Sequence, residues 1–142
     1  MIHFGLKRLN YIIKFDISCY YPITFEKKNN RILLKVIYGL FGQNFIGVSW
    51  RPSDRLEQID LFCETSRGSI ETTSFIGTIQ TNRPYAIKIK RETIYNLCWV
   101  RVFDTETGNV VLSFSTHYKF PIVKAGYIVE RKRKHKIILK RN

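Results

Sequence analysis

Hydrophobic and polar residues alternate with a period of two along most of this chain. Tyr11, Ile13, Phe15 and Ile17 share one parity, while Lys14 and Asp16 take the other. Successive side chains of a strand point to opposite faces, so the pattern predicts a strand over 9–17 with one apolar face. Ile46, Val48 and Trp50 fall together in a strand over 44–50. In 58–64, Ile59, Leu61 and Cys63 oppose Gln58, Asp60, Phe62 and Glu64. Tyr85, Ile87 and Ile89 alternate with Ala86, Lys88 and Lys90. Runs rich in β-branched and aromatic residues predict further strands over 32–40, 70–80, 94–103, 110–115, 122–129 and 136–140.

Turn chemistry separates these segments. A polar stretch covers 26–31, Pro52-Ser53-Asp54 ends one strand, and Arg67-Gly68 reverses the chain. Asn82-Arg83-Pro84 forms a loop, and Asp104 to Gly108 reads as a hairpin loop with glycine where φ must be positive. No stretch of twelve residues carries a capped helical period. The expected fold class is therefore all-β, a single antiparallel β-sandwich or jelly roll. Neither an internal repeat nor a linker divides it, so 1–142 reads as one domain with a basic C-terminal segment over 130–142.

Composition narrows the function classes. Apolar residues make up 44% and aromatics 14%, enough to fill a core and too many for a disordered chain. No apolar run approaches the roughly 18–20 residues of a membrane-spanning helix, so no membrane insertion is expected. Lys7, Arg8, Asn10 and Lys14 interrupt the first fifteen residues, which do not read as a signal peptide. The expected location is the cytoplasm or a virion, without classical secretion. Cys19, Cys63 and Cys98 are odd in number and far apart, and predict reduced core thiols rather than a disulfide framework. His3, His117 and His135 are equally scattered, and no metal or cofactor is expected.

Charge is the strongest compositional signal. Twenty-four Lys and Arg against eleven Asp and Glu give +13. The last thirteen residues hold seven basic residues and one acid, a net +6. Arg131, Lys132, Arg133, Lys134, Lys136, Lys140 and Arg141 are the candidate contacts to an acidic partner, whether an acidic protein surface or packaged nucleic acid. The same run also reads as a solvated terminus. It interleaves no aromatic residues for base stacking, which favours charge-driven contact over sequence readout.

Over about 42–114 the pieces NFIGVSW, QIDLFCE, RPYAIKIKRE and WVRVFDTETGNVVLSF follow in an order that resembles the concanavalin A-like sandwich of lectins, glucanases and laminin-G-like modules. The resemblance implies either a glycan on an aromatic platform, for which Trp50, Tyr95 and Trp99 are the candidates, or hydrolysis by paired carboxylates. Aromatic residues at strand spacing more often fill cores. The glucanase branch carries E-x-D-x-(x)-E on one strand, and the nearest segment here is Glu57-Gln58-Ile59-Asp60-Leu61-Phe62-Cys63-Glu64. Glu57 has the wrong parity, and Asp60 and Glu64 would stand about 13 Å apart on an unbulged strand. Glycoside hydrolysis wants about 5–9.5 Å. No catalytic residue is assigned, and the protein is expected not to be an enzyme. The favoured expectation is a structural or docking component of a larger assembly, such as a viral or phage virion protein, with self-association as one mode of assembly. A carbohydrate-binding module and a non-specific nucleic-acid binder are the alternatives.

Overall fold

Strand parity decides which side chains meet. The computed structural model describes residues 8–20, 31–38, 44–68, 70–92, 95, 97–117, 124–129 and 137–141. Its strands are β1 Arg8–Phe15, β2 Arg31–Tyr38, β3 Asn44–Pro52, β4 Gln58–Arg67, β5 Ile70–Gln80, β6 Tyr85–Glu92, β7 Leu97–Asp104, β8 Val110–His117, β9 Lys124–Val129 and β10 Ile137–Arg141. All pairings are antiparallel. Sheet I runs β10-β1-β6-β7-β8, and sheet II runs β5-β4-β3-β2-β9.

The two sheets close over one apolar core. Sheet I contributes Tyr11, Ile13, Phe15, Ile87, Ile89, Val100 and Val102, and sheet II contributes Leu34, Ile46, Val48, Trp50, Ile59, Leu61 and Ile79. Trp50 is fully buried and packs on Phe15 with ring centroids 5.2 Å apart. A buried side chain of this size stabilises by about 1.5–3 kcal/mol through the water it sheds. The expected all-β sandwich is the observed architecture.

Two meanders build it. β2 to β5 are joined in sequence, as are β6 to β8. Gly68 and Gly108 stand at φ 63° and 75°, the left-handed region that a side chain disfavours, and each turns one hairpin. β1 has no sequence neighbour in its sheet. It pairs Ile13 with Tyr85 on one side and with Leu139 on the other.

Two expectations change. Ile17 leaves the apolar face, because the Asp16 carboxylate accepts the Ser18 N–H at 3.1 Å and starts a 3-10 turn over Ile17–Cys19. Ile17 is then exposed, and Cys19 enters the core instead. The strand expected over 94–103 begins at Leu97, with Tyr95 in the preceding turn. The strand expected over 136–140 is present as Ile137–Arg141, paired with β1. Arg131, Lys132, Arg133, Lys134 and Lys136 lie outside the described residues.

Candidate polyanion-binding face

Core residues on alternate positions of sheet I force their neighbours outward. Between buried Ile87 and Ile89 stands Lys88, with Lys90 beyond, and between buried Cys98, Val100 and Val102 stand Trp99 and Arg101, followed by Phe103. Lys14 is outward on β1 by the same rule. Strand pairing aligns these side chains in rows. Asn10, Lys88, Arg101 and Ser113 are successive register partners across β1, β6, β7 and β8. Lys90, Trp99 and Ser115 form the next such row.

Within the rows, cations and rings interdigitate. Lys88 Nζ lies 4.7 Å from the Phe103 ring centroid, and Lys90 Nζ lies 5.8 Å from that of Trp99. The Arg101 guanidinium carbon is 4.2 Å from the Trp99 centroid. The order Phe103, Lys88, Arg101, Trp99, Lys90 is a ladder across β6 and β7. Each contact within about 6 Å is worth roughly 0.5–1 kcal/mol at an exposed site. Trp99 Nε1 donates to Glu92 Oε1 at 3.2 Å, which fixes the indole plane. Glu92 is the acid on this face among the described residues, against Lys14, Lys88, Lys90 and Arg101.

The residues singled out from sequence scatter. Trp50 is a core residue with no face to offer a ligand, which corrects its assignment to a platform. Tyr95 is 67% exposed in the β6–β7 turn, while Trp99 lies on the outward face of β7, so the three rings make no single surface. Lys140 and Arg141 stand in β10 opposite Ile12 and Tyr11. The ladder itself escaped the sequence. The parity of Lys88 and Lys90 was legible, but their alignment with Trp99, Arg101 and Phe103 depends on the β6–β7 register.

Sheet II holds the carboxylates. Asp60 and Glu64 face outward on β4, whose register with β3 is unbroken, so about 13 Å of strand lies between them. The irregularity opposite Leu61 and Phe62 is an extra residue in β5, not β4. Glu57 precedes the strand, in a turn with φ 55°. Asp60 Oδ1 accepts from Thr78 Oγ1 at 2.8 Å. Burial pushes the Glu64 carboxyl above its usual range, with Glu71 adding to the rise, while the hydrogen bond from Ser49 and the charge of Lys35 pull it back.

An open cleft of about 480 Å³ lies beside Asp60, bordered by Asp54, Arg55, Phe75 and Leu112. Arg83 donates from Nε to Asp104 Oδ2 at 3.0 Å and reaches Glu106 at 3.3 Å, tying the β5–β6 loop to the β7–β8 hairpin. Burial pushes the Cys63 thiol up to about 12, aided by Cys98 and Glu64, so it is a packed thiol and not a nucleophile. Among the described residues, no group of three or more His, Cys, Asp or Glu is placed to hold a metal ion. No helix among them is long and apolar enough to cross a membrane.

The chain matches no family model and, among curated proteins, no significant relative.

Proposed function

We propose that the protein is a non-enzymatic docking component of a larger assembly, of the kind a virion protein is, and that the outward face of sheet I binds an extended polyanionic partner. The observation that carries this reading is the pairing of β10 with β1. Through it, Ile137–Arg141, at the end of the basic terminal segment, becomes the edge strand of the sheet that bears Lys14, Lys88, Lys90 and Arg101. Lys140 and Arg141, far away in sequence, thus belong to the same sheet as these cations.

The energetics suit such a partner better than a small ligand. Each cation opposite an anion releases counterions, so affinity accumulates with contact number and falls steeply with salt. A neutral glycan displaces no counterions, so Lys90 and Arg101 beside the Trp99 ring would add little to its binding.

Replacement of Lys88, Lys90 and Arg101 by Gln, with Arg131, Lys132, Arg133 and Lys134 to Gln as a second set, tests the reading. Binding to poly-L-glutamate and to oligo(dT), followed by fluorescence anisotropy over a salt series, is expected to weaken in both sets and to lose salt dependence. Parental affinity and slope in both sets, for both polyanions, would leave the face a solvated surface and end the proposal.

A further inference from the structure

We infer that the outward face of sheet I recognises single-stranded nucleic acid, with phosphates on Lys14, Lys88, Lys90 and Arg101 and bases stacked at Trp99 and Phe103. The inference rests on the polyanion reading above and names its partner class. Charge alone does not choose the partner, since an acidic protein surface also draws cations. Here a cation stands between the two rings on β7, in the order Trp99, Arg101, Phe103, with Lys88 and Lys90 alongside on β6. Alternation of base-stacking groups with phosphate-binding groups is what a single strand presents along its length.

Geometry selects a single strand over a duplex. Five strands at about 4.8 Å make a sheet roughly 20 Å wide, too broad for a major groove about 12 Å across. Duplex bases are stacked on one another, so Trp99 and Phe103 would have nothing to receive. An open sheet face suits bases splayed from an unpaired strand. Trp99 and Arg101 are two residues apart on β7, about 6.7 Å, so ring and cation alternate in short steps along the strand. The guanidinium over Trp99 supplies a planar surface of its own for a base.

Recognition is expected to tolerate sequence. The rows carry Ser113 and Ser115 beside the cations and lack the paired amide or acidic groups that read base edges, apart from Asn10. The buried Asn10 Oδ1 has no hydrogen-bond partner and sits opposite Lys88 in register.

The chain contains its own reporter. Of its two tryptophans, Trp50 is sealed in the core and Trp99 is on the ladder. Titration of the full chain with oligo(dT) and with oligo(U) is expected to quench indole emission, while poly-L-glutamate is not. In Trp99→Phe, which keeps a ring, binding measured by anisotropy is expected to persist and the quenching to vanish. Trp99→Ala should weaken oligo(dT) binding about tenfold without weakening poly-L-glutamate binding. With four cations engaged, the log–log salt slope should be near about −3. Oligonucleotide binding without quenching would overturn the inference, because the bases would then not be at Trp99. Poly-L-glutamate binding as tight as oligo(dT) would overturn it too, while leaving the polyanion reading intact. Binding of neither would end both.

Discussion

The Arg101 guanidinium lies over the indole of Trp99, 4.2 Å from carbon to ring centroid, on the same strand and outward face. The arrangement follows from their spacing, since residues two apart on a strand share a face. It makes Trp99 part of a charged surface, while Trp50 at the same chemistry is part of the interior.

That contrast gives the first prediction. Trp50→Ala should cost about 3–5 kcal/mol, the range for removing a large aromatic side chain from a sealed core. Trp99→Ala should cost about 1 kcal/mol or less, through lost cation–ring contacts. Urea unfolding followed by circular dichroism measures both, and a Trp99 loss equal to that of Trp50 would contradict the assigned faces.

Two glycines separate backbone from side-chain crowding. A Cβ on Gly47 would lie 2.6 Å from the Leu34 carbonyl oxygen, a neighbour fixed by the β2–β3 pairing. A Cβ on Gly77 would meet Leu112 Cδ2, the end of a side chain that can turn away. Gly47→Ala should therefore destabilise by about 1–3 kcal/mol, and Gly77→Ala by less. Thermal unfolding of the pair checks the order.

Opposite pH signatures are expected from Asp104 and Glu64. Burial would raise the Asp104 carboxyl, but the bond from Arg83 and the backbone bonds from Glu106 and Thr107 hold it below its usual range. Its stabilisation is full at neutral pH, begins to fail near about pH 4 and is lost as pH drops through the folded value. Asp104→Asn should flatten that acid limb. Burial holds Glu64 above its usual range, so the folded state is penalised for keeping it charged. That cost exists above the raised value and disappears as pH falls from it towards about 4. Glu64→Gln should be at least as stable as the parent at neutral pH, and the gain should vanish in acid. Melting temperatures between neutral and acidic pH test both signs.

Cys19, Cys63 and Cys98 are buried. With the Cys63 thiol held at about 12, a thiol reagent near pH 8 meets almost no thiolate there. Labelling of the native protein should be slow, and all three thiols should react together once urea unfolds the chain. Rapid native labelling of Cys63 would contradict its place in the core.

Much of the fold was legible because a period of two needs only local residues. Tyr85, Ile87 and Ile89 announced their face without reference to any partner. Gly108 announced its turn because few residues accept φ 75°. Ile17 misled because the parity that placed it inward stops at Asp16, whose side chain caps the next turn. The ladder was illegible for a different reason. Lys88 and Phe103 are fifteen positions apart, and which cation meets which ring is set by strand register, a long-range property. The apolar run of Ile137, Ile138 and Leu139 announced a strand within the basic terminal segment, but not that its partner would be β1 at the other end of the chain.

The pairing of β1 has a consequence for how the molecule comes into being. Its neighbours are β6 and β10, so neither of its edges is satisfied until distant chain has been made. Sheet II can assemble from hairpins, whereas sheet I must bring β1 back across a large loop. At about 5–20 residues per second of synthesis, β1 spends several seconds as an unpaired apolar strand. Folding of this protein should therefore be slow for its size, with a window in which β1 is open to aggregation or to a chaperone.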